Sequence, residues 1–580
     1  MYKGRFGCFA YRVAGVSLFT GLMLIEGTTG ANAVTYQVND DFRVDWSNTL
    51  SYNLGVRAQG QNANIANNPL FSESDYKFPN AGDIVTNRVS DLSELDIVYK
   101  GTMGVRFSGS IWKDFAYSDN VNNNPGEAAP GTPYGQLCSY CTAPGVASGH
   151  YSGYTNHFYE AGGELLDAFA FDNFDIDGHS ASIKIGRLTR YWGNSVFFGT
   201  QGISYSQNAS DNIKGAAAPG SQAKELAIPR LQLLVSGEVA PNVTVEGQYF
   251  GEFYGNRLPE GGTYLGTAGG LFNGPTDFEG AIPHQDAYAP SAMHANYGVR
   301  ASWSPAFLGG VLAAYFRHFD EVQPWAPLFG VNAGGAPNYH LAYNQNVKLY
   351  GLSLDRTIGD YSIGLEASYR QRTALNSATG PLASDFAGRR GATGDTFNLI
   401  ANTIAGLTPN RLWQTGTLIG ELAFTHLVGV DDNASLYNGV GSAGCADHGN
   451  VTEGCSTTDA VQIAGQFDPQ WLQVVPGIDI DVPIFAEYGL YGNAPSLGVG
   501  VNQGSIVYTA GVHAFIQQRY NVTLQYNGYH GYTSKTLTNL AAAEGVPVGT
   551  PGFPSYYSSG NGAYFYNDKG WISLTASVSF

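Results

Sequence analysis

The stretch FRVDWSNTLSYNLGVR, residues 42–57, decides the fold class of this chain. Its apolar side chains keep to the even positions, whereas the odd positions are mostly polar. Because successive side chains of a β-strand point to opposite faces, this alternation predicts a long strand with one apolar and one polar face. One such strand suits several all-β folds, so the number and connection of the other strands must decide between them.

The rest of the chain repeats this pattern as hairpins separated by long polar loops. Asp177-Gly178, for example, is a strong type I′ turn signal between two alternating runs. The paired runs are Val89–Lys100 with Met103–Tyr117, Leu165–Asp175 with Ser182–Trp192, Leu231–Ala240 with Val243–Tyr254, Ala295–Ser304 with Val311–Asp320, Val347–Thr357 with Tyr361–Gln371, Asp395–Ala405 with Leu412–Leu427, Thr457–Phe467 with Ile478–Tyr488 across a longer turn at 468–477, and Val507–Gln517 with Tyr520–His530.

The first strand and a last run, Tyr564–Phe580, complete the strand count. Short turns at one end and long loops at the other are typical of outer-membrane barrels, whose strand number is even. We therefore predict an all-β transmembrane antiparallel β-barrel of about 18 strands, within a range of 16–20. The short turns are expected to be periplasmic, and the long loops extracellular.

The N-terminus has the features of an export signal. A basic region with Lys3, Arg5 and Arg12 precedes the apolar run 13–25, and Ala31-Asn32-Ala33 offers the small-x-small cleavage pattern. The apolar run is too short to span a bilayer as a helix. We predict a signal peptide at 1–33 and the barrel at 34–580.

The composition agrees with a barrel in the outer membrane of a Gram-negative bacterium. Charged residues make up 13% of the chain, about half of the usual 25% or so, and Tyr (37) and Gly (76) are abundant. No stretch after residue 33 has 18 consecutive apolar residues, so a closed barrel is the spanning arrangement that satisfies the backbone. The expected surroundings are outer-membrane lipid and lipopolysaccharide.

Charge excludes one class of partner. Removing residues 1–33 takes away three basic residues and one acidic one, which leaves 26 Lys and Arg against 46 Asp and Glu, a net charge of −20. Such an acidic chain argues against nucleic acid as a partner.

The motif G-x-S-x-G of serine hydrolases is absent from residues 34–580, and we expect neither an enzyme nor a cofactor.

Residues 193–228 interrupt the hairpin pattern. Isolated charges are spread through and beside this stretch, and in a wide barrel such a segment can fold inward as a plug or constriction with a field across the pore. The alternative, weighed equally, is an ordinary extracellular loop. The candidate residues are Arg187, Arg190, Trp192, Asp211, Lys214, Lys224 and Glu225.

Four cysteines remain after signal removal, and they lie in two close pairs. Cys138 with Cys141 and Cys445 with Cys455 predict two local disulfides, since export permits disulfide formation. Cys138-Ser139-Tyr140-Cys141 is also a C-x-x-C, which elsewhere means redox chemistry or half of a zinc site. No βαβ context supports the redox alternative, and we expect no metal.

The C-terminus ends on Phe580 after an alternating run. This arrangement resembles the assembly signal of bacterial outer-membrane proteins, and the resemblance implies the barrel-assembly machinery as a partner.

Several short motifs occur in an order that extends over nearly the whole chain. They are the strand 42–50, Ser93-Glu94-Leu95-Asp96, Trp112-Lys113-Asp114, Gly186-Arg187, Trp192-Gly193, Lys224-Glu225, Gly261-Gly262-Thr263-Tyr264, Pro476-Gly477-Ile478-Asp479, Val482-Pro483-Ile484 and Tyr526-Asn527-Gly528-Tyr529-His530-Gly531. Together they resemble the proteobacterial family known as domain of unknown function thirteen-oh-two.

The resemblance implies a function in transport. Genes of this family often lie beside those for the catabolism of hydrophobic compounds and for exporters. It therefore implies passage of a hydrophobic or amphipathic small organic molecule, and a periplasmic or exporter partner. Two alternatives stay open: a general diffusion porin, and a surface structural or interaction protein that binds partners through loops such as 118–160 and 429–456.

Overall fold

The computed structural model describes most of the chain after the predicted signal peptide. The described residues are 34–67, 77–117, 151, 153–218, 221–259, 262–266, 287, 289–292, 294–331, 337–378, 390–445, 449–533, 537–539, 547, 555–557, 559–562 and 564–580. The predicted signal peptide and the predicted pair Cys138 and Cys141 lie outside them.

Eighteen antiparallel strands of the described chain close into one barrel, which confirms the predicted all-β antiparallel barrel and its strand number. Each strand pairs with its neighbours in sequence, and β18 pairs with β1 from Thr49↔Ser579 to Arg57↔Trp571. The strands are β1 Phe42–Arg57, β2 Ile84–Tyr99, β3 Met103–Asp114, β4 Ala161–Ile176, β5 His179–Leu188, β6 Arg230–Ala240, β7 Val243–Phe250, β8 Asn296–Trp303, β9 Gly310–Phe319, β10 Val347–Ile358, β11 Tyr361–Ala374, β12 Thr393–Gly406, β13 Thr415–Asp432, β14 Asp459–Val475, β15 Ile478–Asp481 continued by Ile484–Tyr491, β16 Ile506–Ile516, β17 Tyr520–His530 and β18 Trp571–Ser579.

The remaining elements are short and lie before β1 or in the connections between barrel strands. The strands are Val34–Gln37, which pairs with β1, and the pairs Ala209–Ser210 with Ala227–Ile228, Trp325–Val331 with Pro337–Ala342, and Thr538–Asn539 with Ser555–Tyr556. The helical turns are Ala63–Ala66, Phe115–Tyr117, Gly153–Thr155, Asn156–Glu160, Asn212–Ala217, Ala223–Leu226, Ala434–Leu436, Ala443–Cys445, Val451–Glu453 and Tyr564–Tyr566. In the described part of the chain, no helix is both long enough and apolar enough to cross a membrane.

The two faces of the barrel wall differ in polarity, as the alternation in β1 predicts. Large apolar side chains are exposed on the outer face of nearly every strand. Examples are Leu50, Ile111, Ile185, Leu233, Val299, Leu352, Leu365, Leu422, Ile463, Val512, Leu524 and Leu574. The inner face carries buried polar groups, among them Ser110, Gln232, Glu246, Glu366, Asn398, Glu421 and Gln466. An outer apolar band with a polar interior is the pattern that a lipid environment requires of a barrel.

The hairpin between β4 and β5 shows how local sequence sets the turns. Asp177 and Gly178 both have positive φ, +52° and +85°, as a type I′ turn demands. The carboxylate of Asp175 accepts a hydrogen bond from the Gly178 N–H at 2.7 Å. Such two-residue turns lie at one end of the barrel; the opposite end, with the long connections, is called the long-loop end below.

Two predicted boundaries are wrong for reasons of pairing and burial. The stretch 468–477 is not a long turn, because β14 continues to Val475 by pairing with both β13 and β15. The last strand begins at Trp571 rather than at Tyr564, because Tyr564–Tyr566 forms a 3₁₀ turn whose three aromatic rings are buried.

Candidate functional site

The connection between β5 and β6, residues 189–229, runs inside the barrel and is called the inner segment. It includes the predicted plug, 193–228, apart from residues 219 and 220, which lie outside the described chain. Tyr191 is exposed, but most of the segment's other large apolar side chains are almost fully buried: Trp192, Phe197, Phe198, Ile203, Tyr205 and Ile213. Since they pack on inner-face side chains of the wall, the segment contacts the barrel rather than solvent.

Glu421, on the inner face of β13, binds the first part of the inner segment. Its carboxylate accepts hydrogen bonds from the backbone N–H groups of Val196 (2.6 Å), Phe197 (3.0 Å) and Phe198 (2.5 Å). The hydroxyl of Ser195 donates to it as well, at 3.0 Å. Hydrogen bonds to a charged group contribute about 1.5–3 kcal/mol each, so Glu421 is a strong anchor.

Glu366, two strands away on β11, binds the same segment in the same way. Its carboxylate accepts hydrogen bonds from the backbone N–H groups of Ser195 (2.7 Å) and Ile203 (2.8 Å), and also from that of Asn194. Two wall carboxylates therefore satisfy backbone donors that would otherwise be buried without partners.

Two wall arginines bind the carbonyl groups that follow. Arg317 on β9 donates through Nη1 to the carbonyl oxygens of Ile203 (2.8 Å) and Tyr205 (2.7 Å). Arg370 on β11 donates through Nη2 to the carbonyl oxygen of Gly202 at 3.0 Å. The inner segment is thus held by carboxylates at its N–H groups and by guanidinium groups at its carbonyls.

Apolar contacts hold the inner segment against strands that lie far from β5 and β6. The rings of Phe197 and Phe485, which lies on β15, have centroids 5.3 Å apart. Phe197 and Phe198 belong to one buried cluster with inner-face residues of β12, β13, β14 and β15. The segment leaves the wall at β5 and returns at the neighbouring strand β6. Between these two points it reaches β12–β15, so it extends through the interior to a distant part of the wall.

Two of the predicted residues, Arg190 and Trp192, meet at one carboxylate. The guanidinium of Arg190 donates to both oxygens of Glu246 on β7, at 3.1 and 3.0 Å, and the indole Nε1 of Trp192 donates to the same group. The backbone N–H of Trp192 donates to the side-chain oxygen of Gln207 at 2.7 Å. The start of the inner segment is therefore fixed to β7.

Asp211 and Lys214 belong to a second ionic group, together with Arg257 and Glu164. Arg257 lies 2.7 Å from both Asp211 and Glu164, and Lys214 Nζ lies 2.5 Å from Glu164. Burial by itself lowers the pKa of the Arg257 guanidinium, but the two carboxylates outweigh it, and the pKa is raised. Arg257 therefore stays cationic.

The other predicted charged residues, Lys224, Glu225 and Arg187, do not share one ionic group. Lys224 forms an ion pair with Glu94 on β2, and Glu225 lies 4.0 Å from Lys214 Nζ. Arg187, at the end of β5, lies outside these groups: its Nε is 3.9 Å from Glu252. All seven predicted residues take part in contacts of the inner segment, since Arg187 Nη2 also donates to the carbonyl of Pro229 at 3.4 Å. Glu225 contacts Lys214 within the segment rather than the wall, and that these residues narrow a pore stays a prediction.

An aromatic cluster, called the mouth cluster, lies at the long-loop end. Its buried rings include Phe78, Tyr117, Tyr151, Tyr159, Tyr264, Tyr529, Tyr564, Phe565, Tyr566 and Trp571. Tyr264 packs edge-on against Phe78 (5.9 Å) and Trp571 (6.4 Å). Burial raises the pKa values of Tyr117 and Tyr159 well above their usual range, so both phenols stay neutral.

Phenol groups bind the backbone of residues 262–266 within this cluster. Tyr151 donates to the carbonyl of Gly262 (3.0 Å), and Tyr566 donates to that of Leu265 (2.9 Å). The N–H of Tyr264 donates to the hydroxyl of Tyr117 at 3.2 Å. Residues 262–266, part of the Gly261-Gly262-Thr263-Tyr264 motif, therefore sit at the long-loop end among neutral aromatic groups.

The remaining predicted residues lie away from the inner segment. Cys445 and Cys455 are at disulfide distance, with Cα atoms 6.0 Å apart. Phe580 exchanges two backbone hydrogen bonds with Asn48, at 2.8 and 3.0 Å, and its ring is exposed on the outer surface. Among the described residues, no group of three His, Cys, Asp or Glu side chains is placed to hold a metal ion.

The sequence matches one protein family over almost its whole length. The family described as "Protein of unknown function (DUF1302)" matches residues 14–580. The chain belongs to this family. Among curated proteins, no sequence matches this DUF1302 member.

Several solved structures match most of this chain, but their sequences are distant. OpdK of Pseudomonas aeruginosa, crystallised with vanillate, is 11% identical with a TM-score of 0.40, and the match covers 93% of this chain and 98% of that one. OccAB2 of Acinetobacter baumannii is 11% identical with a TM-score of 0.42 and the same two coverages. OccAB4 of Acinetobacter baumannii is 9% identical with a TM-score of 0.41, and the match covers 94% of this chain and 100% of that one.

The wall residues that hold the inner segment of this DUF1302 chain were not predicted. Glu366, Glu421, Arg317 and Arg370 all lie within strands, on the polar parity. Charges on the inward parity also occur in other strands, for example Arg88, Glu246 and Glu487, so the strand pattern did not distinguish these four. Their partners are more than 100 residues away in sequence, so only the closed barrel shows what they bind.

Proposed function

We propose that this protein is an outer-membrane β-barrel through which hydrophobic or amphipathic small organic molecules pass, with the inner segment as its constriction. The outer apolar band supports the membrane location, since exposed Leu, Ile and Val on every second residue of a wall suit lipid rather than water. The anchoring of the inner segment by Glu421 and Glu366 supports its role as a constriction.

The main support for the proposal is that aromatic side chains cluster at two levels of the barrel. The mouth cluster lies at the long-loop end, and a second cluster joins Trp192, Ile203 and Tyr205 of the inner segment to Tyr315, Phe319 and Leu349 of the wall. Binding sites for small organic molecules are mostly apolar and aromatic, with a few placed polar groups. A passage that only conducted water and ions would need neither cluster.

One observation favours the second candidate, a general diffusion porin. Arg106 on the inner face of β3 lies within ion-pair distance of Asp96 (2.8 Å) and Asp167 (3.4 Å), and it also pairs with Glu94. Rows of opposed, partly exposed charges are typical of a water-filled pore. The interaction-protein alternative rests on loops that include residues 118–150, outside the described chain, and stays a prediction.

Dye uptake in a Gram-negative host lacking its own major porins separates the two candidates. Cells that express the protein are exposed to N-phenyl-1-naphthylamine, a neutral apolar dye that the lipopolysaccharide leaflet excludes. In parallel, they receive a hydrophilic chromogenic cephalosporin that a periplasmic β-lactamase hydrolyses. We expect faster dye uptake with unchanged cephalosporin hydrolysis. Faster hydrolysis without dye uptake would establish the porin, and no change in either rate would contradict both candidates.

A further inference from the structure

Two buried arginines of the wall have hydrogen-bond donors without acceptors. Arg317 is 2% exposed and Arg370 is 0% exposed, both on the inner face. Within the part of the chain that the structure describes, Arg317 Nη2 and Arg370 Nε and Nη1 have no hydrogen-bond partner. An unpaired buried donor destabilises the folded state, and a charged one does so more strongly. Such groups in a native structure therefore require an explanation.

The two guanidinium groups lie close together in the barrel. Arg317 pairs with Leu349 of β10, and Leu349 pairs with Arg370 of β11, so the three residues form one row across three strands. The backbones of the two arginines are therefore about 10 Å apart, which is twice the spacing between neighbouring strands. Both side chains converge on the carbonyls of residues 202–205.

No carboxylate neutralises either arginine directly. Among the ion pairs of the described residues, none includes Arg317 or Arg370, although buried charges are normally paired. Glu366, the carboxylate on the same strand as Arg370, is already used by N–H groups of the inner segment. The hydrogen bonds of both arginines therefore go to neutral carbonyl oxygens, and the carboxylates Glu321 and Glu366 act on Arg370 through space without an ion pair.

The wall beside Arg370 has further donors without acceptors. Arg370 pairs across the strands with Thr396 of β12, and Ser368 pairs with Asn398. The hydroxyls of Ser368 and Thr396 and the Nδ2 of Asn398 are all buried and lack partners among the described residues. Residues opposite one another on one face have side chains about 5 Å apart, so these donors and the guanidinium share one patch.

Apolar and aromatic groups border this patch. The guanidinium of Arg370 lies 4.0 Å from the centre of the Tyr205 ring, and that of Arg317 lies 4.4 Å from the Phe319 ring. Leu349 is fully buried between the two arginines. A ligand that reached the guanidinium groups would therefore place its own apolar part against these side chains.

We propose that Arg317 and Arg370 form a binding site for the carboxylate of an amphipathic organic anion, whose apolar part packs on Tyr205, Phe319 and Leu349. The proposal rests on the proposed function and names the substrate class. The carboxylate competes with the carbonyl oxygens of residues 202–205, because it adds a negative charge that they lack and can accept two parallel hydrogen bonds from one guanidinium group. Binding of the anion therefore loosens the inner segment at the constriction.

Calorimetry with the purified, refolded protein tests this site with two matched probes, 2-naphthoate and its neutral amide, 2-naphthamide. We expect the wild type to bind the anion at least about tenfold more tightly than the amide. Each of Arg317→Met and Arg370→Met should weaken naphthoate binding about tenfold or more, with little effect on the amide. Equal affinity of the wild type for both probes would overturn the proposal.

Arg88→Met is the matched control. Arg88 is as buried as Arg317, at 2% exposure, and lies on the inner face of β2, well away from β9–β11. Its removal should leave the preference for naphthoate unchanged. An equal loss in Arg88→Met and in each of the single variants Arg317→Met and Arg370→Met, which all remove one charge, would mean that total charge alone matters, and this contradicts a site.

Folding of each variant is checked by its heat-modifiable mobility in gels. If the methionine variants do not fold, Arg317→Lys and Arg370→Lys keep the charge but lose the planar fork. The double lysine variant should then bind naphthoate at least several-fold more weakly, and wild-type affinity would refute the site. Dye uptake is a separate measurement: no uptake with intact naphthoate preference would contradict only the proposed function, and uptake without preference would contradict only the arginine site.

Discussion

Glu421 accepts a hydrogen bond at 3.0 Å from the backbone N–H of Phe197, a residue 224 positions earlier in the chain. The wall of the barrel and the segment inside it are joined at this point by a carboxylate on one side and, on the other, by three backbone N–H groups and the Ser195 hydroxyl. The attachment therefore depends mainly on the negative charge of Glu421.

Glu421→Gln should release part of the inner segment. The amide keeps one acceptor but loses the charge and adds a donor that faces the same N–H groups. With hydrogen bonds to a charge worth about 1.5–3 kcal/mol each, the population with a displaced segment should rise roughly 10- to 100-fold. Single-channel recording should show frequent openings where the wild type is nearly silent. Glu238→Gln, at the short-turn end of β6, is the control, and silence of both variants would contradict the anchor.

Tyr264→Ala should open the mouth cluster. The substitution removes the ring that packs between Phe78 and Trp571, and truncation of a buried aromatic residue costs about 3–5 kcal/mol. We expect uptake of N-phenyl-1-naphthylamine to rise several-fold. Tyr264→Phe keeps the ring and removes the hydroxyl that donates to the carbonyl of Gly570 at 3.4 Å, so its uptake should match the wild type. Equal rates in Tyr264→Ala and wild type would show that the cluster does not limit passage.

Leu422→Arg should destabilise the barrel in lipid vesicles. Leu422 is exposed on the outer face near the middle of β13, where lipid is expected. An arginine at the bilayer midplane lowers the free energy of unfolding by about 2–4 kcal/mol, whereas one near the interface costs about 0–1 kcal/mol. Urea unfolding in vesicles measures this difference. Leu412→Arg, in the turn before β13, is the control, and similar losses in both variants would argue against lipid at Leu422.

The pair Cys445 and Cys455 should form a disulfide in protein isolated from an oxidising compartment. Peptide mapping without reduction should show the two cysteines linked. A bridge that closes a loop of this length stabilises by up to about 3 kcal/mol, so reduction should speed proteolysis of the connection between β13 and β14. Cys455→Ser should be cleaved as fast as the reduced wild type. Free thiols at both positions would refute the bridge.

The sequence by itself determined the barrel. Alternation over residues 42–57 and the turn signal Asp177-Gly178 are local properties, because side-chain direction in a strand and the sign of φ in a turn depend on neighbouring residues. Counting such runs was enough to predict eighteen strands. It failed at 468–477, where pairing with both neighbouring strands extends β14 beyond what its own pattern shows.

Only the tertiary structure decided what the inner segment binds. The sequence marked Lys214 and Lys224 as charges in an unusual stretch, but their partners Glu164 and Glu94 come from distant strands. Arg317 and Arg370 are separated by 53 positions in sequence, and they become neighbours because β9 and β11 both pair with β10 in a register that places Leu349 between them. These side chains become buried only once the wall has closed around the segment. The electrostatic interactions between their charges become strong only then, because burial lowers the effective dielectric constant.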